Sequence, residues 1–291
     1  MIFFSVVIPT YNRGHFIEQG IHSLLNQTFQ DFEVIIVDDG STDNTEVILR
    51  QYVNNQFRYY KIENQERGYA RNFGFRKSGG DYVVFLDSDD WFKPTHLENL
   101  RNTIVHHNSF NFYATKFDEF VDGEICRHSI LKKVKAGAYD YRFLLDGNHL
   151  ACNICIRRRN ESLIPFHEDR EFASLEDWLF LLYNLRNDRL FLSEEVTVSM
   201  REHSGRSMHF NKKVIHARML ATEWAEQHIE FSKSELKKLW GNSFYFCAIH
   251  SYLDGNRRQA FSFLYKAIKR LGLRARFVIL FVKIIVIKKG S

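Results

Sequence analysis

The sequence predicts an α/β fold in which a mostly parallel central sheet is flanked by helices and followed by a C-terminal helical extension. Three observations support this prediction. Apolar runs alternate with helical patterns in the first half, polar residues end several of these runs, and the last quarter is helical in pattern. The runs at residues 5–8, 33–37, 58–62 and 82–86 predict four strands. Strands that are apolar on both faces and separated by helices indicate a parallel sheet covered on both sides.

Helical spacing of apolar residues fills the intervals between these strands. Residues 16–25 show it first, and a second helix follows Ser41 and Thr42, either of which would serve as its N-cap. A third helix is predicted at residues 68–77, and the glycine pair at 79–80 would end it. The first half therefore has the repeated strand–helix order of a parallel sheet.

The second half of the chain is less regular. It predicts strands at 111–116, 151–156 and 196–200, a ribbon or loop at 120–135, and helices at 139–145 and 175–185. From about Val214 the pattern is helical as far as a last apolar run. We therefore expect a boundary near Asn211 that divides the chain into residues 1–210 and 211–291.

Length, composition and charge limit the class of protein. The 291 residues allow one large domain or two small ones, and 45% hydrophobic with 26% charged residues excludes a disordered or collagen-like chain. The net charge of +5 is unevenly distributed. Residues 255–291, called the basic tail below, hold ten Lys or Arg and no acidic residue, so the tail carries +10 and residues 1–254 carry −5. Such a split predicts an interaction segment.

The cysteines and the apolar runs predict a cytoplasmic protein. Four cysteines in 291 residues do not make a disulfide framework, and the pair Cys152 and Cys155 lacks the second pair that a zinc site needs. We interpret both as small core residues. Residues 1–9 do not resemble a secretory signal, and no run reaches the roughly 20 apolar residues of a membrane-spanning helix.

Polar clusters follow three of the predicted strands at the point where each strand ends. They are Pro9-Thr10-Tyr11-Asn12, Asp38-Asp39-Gly40-Ser41 and Asp87-Ser88-Asp89-Asp90. Ligands of open α/β sheets bind beyond the carboxyl ends of the strands, so we expect the clusters to form one site. Helix capping explains one Asp per loop, but it does not explain Asp87, Asp89 and Asp90 together.

The acidic cluster predicts a divalent cation that is bound together with a diphosphate. Neighbouring carboxylates repel each other unless a cation neutralises them, and Mg²⁺ commonly takes one or two carboxylates plus substrate phosphates. Arg71 is a reasonable phosphate or base contact, although a solvated helix face would also explain it. The chain has no G-x-G-x-x-G after the first strand, which argues against a dinucleotide-binding site, and it also has no P-loop.

Taken together and in order, five segments resemble the motifs of the family-2 glycosyltransferases, which are inverting, metal-dependent enzymes with the nucleotide-diphospho-sugar transferase (GT-A) fold. The segments are SVVIPTYN from Ser5, SLLNQT from Ser23, VDDGSTD from Val37, ARN from Ala70 and GDYVVFLDSDD from Gly80. The resemblance is strong over residues 4–91 and weaker as far as residue 207. It does not cover the chain beyond.

The resemblance implies a role for each matching residue. The nucleotide sugar would be bound by Pro9, Thr10, Tyr11, Asn12, Asp39, Arg71, Asp87 and Ser88. Asp39 would accept a hydrogen bond from the base, most naturally from uracil N3–H. Asp89, with Asp87, would bind the metal, Mn²⁺ or Mg²⁺.

Two later motifs complete the resemblance. Glu176 and Asp177 match the second acidic motif of the family, in which Asp177 would be the general base. Without the resemblance, both would be read as acidic residues that stabilise a helix N-terminus. Arg201 and His203 resemble a late motif near the diphosphate, and His203 would be a further metal or phosphate ligand. Glu66 departs from the family pattern, because many relatives have glycine there.

The implied reaction is a single displacement. A sugar moves from a nucleotide diphosphate, expected to be UDP, to an acceptor hydroxyl with inversion at the anomeric carbon. The resemblance to this family suggests a role in bacterial surface polysaccharide or lipopolysaccharide synthesis, with an acceptor linked to polyprenyl diphosphate. The alternatives are a non-catalytic nucleotide-sugar-binding or membrane-surface scaffold, and a haloacid-dehalogenase-like phosphatase. The position of Asp-x-Asp after the fourth strand argues against the phosphatase.

The basic tail predicts contact with an anionic membrane surface. The run at residues 277–287 is apolar except for Lys283, and as a helix it would be roughly 16 Å long. That is about half of the roughly 30 Å hydrocarbon core, so the helix would lie in the interface on the inner face of the cell membrane. The alternative is a helix packed on the domain. A nucleic-acid-binding arm explains the apolar run poorly, and we expect no nucleic acid partner.

Overall fold

One mixed sheet runs through the part of the chain that the computed structural model describes, which is residues 2–121, 124–128, 130–151 and 153–286. Within these residues ten strands join in the order β3-β2-β1-β4-β9-β6-β10-β5, with β7 beside β6 and β8 beside β10. The strands are β1 (Phe4–Thr10), β2 (Phe32–Asp38), β3 (Phe57–Lys61), β4 (Tyr82–Phe85), β5 (Trp91–Phe92), β6 (Phe112–Val121), β7 (Glu124–His128), β8 (Gly137–Tyr139), β9 (Cys155–Arg157) and β10 (Leu190–Arg201).

Helices cover the sheet and then form a separate layer at the C-terminal end. They are α1 (Ile17–Leu25), α2 (Thr45–Arg50), α3 (Glu66–Lys77), α4 (His96–His106), α5 (Glu176–Asn184), α6 (Asn211–His228), α7 (Lys233–Leu253), α8 (Arg257–Leu271) and α9 (Ala275–Val286). The helical pattern predicted after Val214 is therefore confirmed. Its last apolar run is also a helix.

The predicted parallel part of the sheet is confirmed. Strand β1 lies between β2 and β4 and is parallel to both, and β3 adds a further parallel strand beside β2. All seven residues of β1 and all seven of β2 are buried, as expected for strands covered on both faces. Thr10 pairs with Asp38 at the last register position, so the loops that follow β1 and β2 begin side by side.

The second half of the sheet is mixed. Strand β9 is antiparallel to both β4 and β6, whereas β6 and β10 are parallel. The strand predicted at 196–200 is longer and begins at Leu190, because pairing with β6 continues through two register shifts. The strand predicted at 151–156 is only Cys155–Arg157. Cys155 is buried as predicted, and Cys152 lies outside the described residues.

Two local predictions are wrong. Neither Ser41 nor Thr42 caps α2, because that helix begins at Thr45 with Asn44 in the N-cap position and no side-chain cap. The Ser41 hydroxyl instead accepts a hydrogen bond from the Asn12 amide at 2.9 Å. The short helix predicted at 139–145 is replaced by the end of β8 and a 3₁₀ turn, Tyr141–Leu144.

The C-terminal helices have their own apolar cluster. Helix α7 begins with a capping box in which Ser232 and Glu235 bond each other's backbone, and α8 and α9 pack beside it. Leu264 of α8 and Phe277 of α9 are buried in this cluster. No helix of the described residues is long and apolar enough to cross a membrane. Ile287, Lys288 and Lys289 lie outside the described residues.

Helix α9 packs with one face and leaves a second apolar face exposed. Phe277, Leu280 and Ile284 are buried at helical spacing. The exposed apolar side chains are Val278, Ile279, Phe281, Val282, Ile285 and Val286. Packing on the domain, the alternative to membrane contact, therefore accounts for only one face of this helix.

Candidate active site

The three polar clusters meet at the carboxyl edge of the parallel strands, as predicted. The Asp39 amide donates to the Thr10 carbonyl at 2.8 Å, and the Leu86 amide donates to the Val7 carbonyl at 3.0 Å. A cavity of about 400 Å³, called the strand-end cavity below, opens between the clusters. The predicted residues that line it are Pro9, Thr10, Tyr11, Asp39, Arg71, Asp87, Ser88 and Asp89.

Asp39 is held at the wall of the strand-end cavity by the segment before α3. One carboxylate oxygen accepts from the Gln65 amide at 2.7 Å, and the other accepts from the Asn64 side chain at 3.1 Å. Burial raises the pKa of Asp39, although the backbone hydrogen bond from Gln65 acts in the opposite direction. Each oxygen has a second lone pair, so Asp39 can still accept a hydrogen bond from a ligand.

Asn12 is not among the residues that line the cavity. Its side-chain oxygen accepts hydrogen bonds from the amides of Thr42, at 2.8 Å, and Asp43, at 3.3 Å. Its backbone has a φ of 51°, the left-handed region that asparagine tolerates better than most residues. Asn12 therefore ties the loop after β1 to the loop after β2.

Arg71 is a buried link between two loops of the site. Its guanidinium donates through Nη1 to Glu176 Oε1 and through Nη2 to Asp87 Oδ1, the latter at 2.7 Å. Only 2% of the Arg71 side chain is exposed, and its guanidinium carbon lies 5.5 Å from the Phe166 ring centre. Arg71 lines the cavity, and two of its hydrogen bonds connect α5 to the loop after β4.

Glu176 and Asp177 stand at the beginning of α5, directly behind Arg71. Burial raises the pKa of Glu176 to about 7, although the charges of Arg71 and Arg67 act in the opposite direction. Arg67 Nε lies 3.9 Å from Glu176 Oε1. Glu176 therefore joins the site through its contacts with the two arginines.

Asp177 is partly buried, and both of its carboxylate oxygens accept hydrogen bonds. Oδ1 accepts from the Trp178 amide at 2.7 Å, and Oδ2 accepts from the Asn148 side chain at 2.9 Å. Burial raises the pKa of Asp177. The charge of Arg71 opposes this shift and the charge of Asp87 adds to it. Asp177 is not among the residues that line the strand-end cavity, and it lies beside Glu176, which contacts Arg71 of that cavity.

Asp89 lines the strand-end cavity and contacts His203, which is not among the residues that line it. Asp89 Oδ2 lies 3.0 Å from His203 Nε2 and 3.7 Å from Arg13 Nε. The Gly205 amide donates to His203 Nδ1 at 3.2 Å, so Nε2 carries the proton and donates to Asp89. Burial opposes ionisation of Asp89, but the hydrogen bond from His203 and the Arg13 charge hold its pKa below the ordinary value.

The carboxylates of Asp87 and Asp89 can hold a divalent cation only if a bound substrate supplies further coordinating atoms. Asp87 and Asp89 both line the cavity and offer carboxylate oxygens, which suit Mg²⁺ and Mn²⁺. Among the described residues, no group of three or more His, Cys, Asp or Glu side chains is arranged to hold a metal ion. Substrate phosphates and water would have to supply the other ligands, as they commonly do for Mg²⁺.

Arg201 supports the acidic loop and is not among the residues that line the cavity. Its amide donates to Asp90 Oδ1 at 2.8 Å, and its Nε donates to the Asp89 carbonyl at 3.1 Å. The guanidinium carbon lies 5.0 Å from the ring centres of both Phe16 and Trp91. Its Nη2 donates to the Gln19 side chain of α1, so Arg201 anchors the loop after β4 to α1 and β10.

Sequence reasoning missed four further arginines that line the strand-end cavity. They are Arg13, Arg67, Arg170 and Arg206. Arg13 directly follows the first polar cluster, and Arg67 precedes Arg71 by one helical turn. The sequence positions of these two arginines could therefore have predicted that they line the cavity. Arg170 and Arg206 come from distant segments, which only the fold brings here. Five arginines beside the acidic loop suit a polyanionic ligand.

Comparison with known proteins agrees with these features. The model of Glycosyl transferase family 2 matches residues 5–163, which is more than half of the chain. TuaG of Bacillus subtilis, named a putative teichuronic acid biosynthesis glycosyltransferase, is 38% identical over 191 residues, which span 61% of this chain and 71% of TuaG. Other relatives are much longer: the chain spans 19% of an uncharacterised glycosyltransferase of Rickettsia bellii.

Two groups of solved structures share the fold. TarS of S. aureus in complex with UDP-GlcNAc has a TM-score of 0.62 at 21% identity, covering 94% of this chain and 93% of that one. The mannosyltransferase PcManGT of Pyrobaculum calidifontis, in complex with GDP-Man and Mn²⁺, has a TM-score of 0.59 at 17% identity, covering 96% and 78%. The chain belongs to glycosyl transferase family 2 and is a glycosyltransferase with the GT-A fold.

Proposed function

We propose that the chain transfers a sugar from UDP to an acceptor hydroxyl with inversion at the anomeric carbon, in the synthesis of a bacterial surface polysaccharide. The composition of the strand-end cavity is the observation that supports the proposal most strongly. The strand-end cavity combines the Asp87-x-Asp89 pair with five arginines, and Arg71 connects it to the acidic start of α5. TuaG is named for teichuronic acid biosynthesis, which supports the polysaccharide part.

The donor would lie along the edge of the parallel strands. Pro9, Thr10 and Tyr11 would contact the base and ribose, and Asp39 would accept the hydrogen bond from uracil N3–H. The cavity arginines would neutralise part of the diphosphate charge. The comparisons support a nucleotide sugar in general, because TarS was solved with UDP-GlcNAc and PcManGT with GDP-Man. Our choice of UDP rests on the position of Asp39.

The metal site would be built by Asp89 and Asp87, with His203 beside Asp89. Bound there, Mn²⁺ or Mg²⁺ would supply positive charge that stabilises the leaving diphosphate. His203 would have to give up its hydrogen bond to Asp89 before its Nε2 could bind a cation. PcManGT, solved with Mn²⁺, supports a divalent metal in this fold.

Asp177 would take the proton from the acceptor hydroxyl as that oxygen attacks the sugar. The Asn148 side chain and the Trp178 amide fix the carboxylate, and burial raises its pKa, so that it accepts a proton more readily than a solvated aspartate. The hydroxyl attacks from the face opposite the diphosphate, and the anomeric configuration inverts. No covalent intermediate on the protein is required.

We also propose a separate role for each of three parts of the chain. Residues 1–117 would bind the nucleotide sugar, residues 118–210 would bind the acceptor, and residues 211–291 would hold the enzyme at the inner face of the cell membrane. The exposed apolar face of α9 and the charge of the basic tail support this attachment. An acceptor saccharide linked to polyprenyl diphosphate would be presented at the same surface.

Metal-dependent donor binding tests the proposal. We expect wild type to bind UDP in calorimetry far more tightly with Mn²⁺ than with chelator, and Asp89→Asn to lose this gain. Asp31→Asn, a matched change at an exposed site, should behave as wild type. Release of UDP from a UDP-sugar separates the enzyme from a non-catalytic scaffold of the same fold. If Asp89→Asn binds UDP and Mn²⁺ as wild type does, the metal assignment is wrong.

A further inference from the structure

A second cavity, of about 420 Å³, lies where the 3₁₀ turn after β8 meets the C-terminal helices, and we call it the tail cavity. Its charged and titratable lining residues are Arg142, Asp146, His149, Lys238, Arg274 and Arg276. Lys238 comes from α7, Arg274 lies directly before α9, and Arg276 lies in the first turn of α9. The lining therefore holds four Lys or Arg side chains and one Asp.

Most of the local negative charge of the tail cavity is already paired. Arg142 donates to Asp140 at 2.7 Å and to Glu235 at 2.8 Å, while Asp146 accepts from His149 at 2.8 Å. In the described parts of the chain, neither Lys238 nor Arg274 lies within ion-pair distance of a carboxylate. These two side chains therefore give the cavity an excess of positive charge.

Arg276 adds a buried donor to this excess. Its Nη2 donates to the Asn242 side chain at 2.6 Å, but its Nε is buried and has no hydrogen-bond partner among the described residues. Arg276 also lines the cavity, so the charge of its guanidinium adds to the charges of Lys238 and Arg274. Two exposed cations beside a guanidinium held by Asn242 are an arrangement that suits a phosphate group.

The tail cavity is connected to the proposed general base by a short segment. Asn148, which donates to Asp177, lies in the sequence between Asp146 and His149 of the cavity lining. On the other side, the Asn242 side chain of α7 donates to the Leu145 carbonyl at 3.2 Å. Residues 145–149 thus join the tail cavity to the residue that would activate the acceptor.

We propose that the tail cavity binds a phosphate or diphosphate group of the acceptor. The inference rests on the proposed glycosyl transfer and adds a recognition site for the acceptor's charged end. The exposed apolar face of α9 starts at Val278, two residues after Arg276, and would receive the lipid chain of such an acceptor. Phosphate carried by a lipid and free phosphate share the chemistry of this site, so the experiment includes both.

Calorimetry of the full chain with farnesyl diphosphate and with inorganic diphosphate tests the site. UDP and Mn²⁺ are added first and to saturation, so that the strand-end cavity is filled. We expect Lys238→Ala with Arg274→Ala to weaken farnesyl diphosphate binding roughly tenfold or more, because two charged hydrogen-bond donors to the phosphate oxygens are removed. Both side chains are exposed, so the fold should remain intact, which the unfolding temperature verifies.

The control removes the same charge elsewhere on the basic tail. Lys269 and Arg270 are exposed and do not line the tail cavity, and the double alanine variant should keep binding within roughly threefold of wild type. Equal losses in the two double variants, or no loss in the first, would overturn the proposal. Tighter binding of farnesyl diphosphate than of inorganic diphosphate assigns the site to lipid-linked phosphate, and equal binding assigns it to free phosphate. Failure of the initial UDP titration counts against the proposed function instead.

Discussion

Glu66 adopts a backbone conformation that favours glycine. Its φ is 71°, and it begins α3 at the rim of the strand-end cavity. Its side chain lies 3.5 Å from Arg170 Nη1, so the residue gains an ion pair where glycine would relieve the backbone. This conformation is one that glycine adopts without strain, which agrees with the glycine of the family pattern to which the sequence was compared.

Substitution of Glu66 measures the cost of that conformation. Both Glu66→Gly and Glu66→Ala lose the ion pair with Arg170, but only Ala retains the unfavourable left-handed backbone. We expect Glu66→Gly to be more stable than Glu66→Ala by about 1 kcal/mol in urea unfolding. Equal stability of the two variants would show that the backbone at this position is not strained.

Glu176 makes the stability of the fold depend on pH in the neutral range. Burial raises its pKa from 4.5 to about 7, so the folded protein holds a proton there that the unfolded chain releases. The favourable contribution is complete below pH 4.5 and is lost as pH rises to about 7. We therefore expect the free energy of unfolding of wild type to fall relative to Glu176→Gln over this interval and to run parallel above it.

The comparison of slopes isolates the titration of Glu176 from the other effects of its substitution. Glu176→Gln also changes the contact with Arg71, which shifts the stability at every pH by a similar amount. Parallel curves between pH 5 and pH 8 would show that Glu176 is ionised throughout, as a carboxylate dominated by its arginine partners.

Individual site residues were predictable where a motif placed them at a strand end. Asp39, Asp87 and Asp89 line the strand-end cavity because a parallel sheet brings the ends of its strands to one edge. The second partner of Arg71 was not predictable, since Glu176 lies 105 positions away in the sequence. Asn12 and Arg201 belong to motifs of the family resemblance, but they do not line the cavity, and their contacts hold the loops of the site together.

At the scale of single elements, α9 is the unusual helix. It buries Phe277, Leu280 and Ile284 and exposes apolar side chains around most of its remaining surface. A solvated surface helix normally carries polar residues there, and an exposed apolar patch of this kind marks an interaction site. The basic tail favours an anionic membrane over a second copy of the chain, because two tails of +10 would repel each other.

Flotation with phosphatidylglycerol vesicles tests this attachment. Val282→Glu with Ile285→Glu changes side chains that are 48% and 51% exposed, so the packed face of α9 is untouched. We expect the partition coefficient between vesicles and water to fall at least roughly tenfold, because two apolar side chains no longer enter the membrane interface.

The matched control carries two glutamates on the other half of the molecule. Val47 and Val105 are 67% and 55% exposed, and Val47→Glu with Val105→Glu should float as wild type does. If the two double variants lose binding equally, net charge and not the apolar face of α9 controls it, and if neither loses binding, α9 is not the attachment surface.

Elements were predictable to the extent that a local pattern specifies them. Strands β1, β2 and β4 and helices α1 and α3 follow from apolar runs and helical spacing, and the structure confirms them. The early start of β10 and the short β9 depend on pairing with β6, which no local pattern encodes. The two faces of α9 depend on packing against α7 and α8, so the sequence left membrane contact and packing open as alternatives.

At the scale of the whole molecule, charge separates two regions. The strand-end cavity combines acidic and basic residues within a part of the chain that carries −5, whereas the tail cavity and α9 lie in or beside the tail that carries +10. A nucleotide diphosphate held with a metal suits the first region, and an anionic membrane with a phosphate-bearing acceptor suits the second. Residues 145–149 lead from the tail cavity to Asp177 through Asn148, and the neighbouring Glu176 contacts Arg71 of the strand-end cavity.

The transfer activity of Asp177→Asn tests the central claim most directly. The substitution retains the size of the side chain and its contacts with Trp178 and Asn148 in part, but it removes the group that would accept the proton. We expect sugar transfer to fall by roughly a hundredfold or more while UDP binding with Mn²⁺ stays within roughly threefold of wild type. Unchanged turnover in this variant would contradict the account, because another group would then have to activate the acceptor.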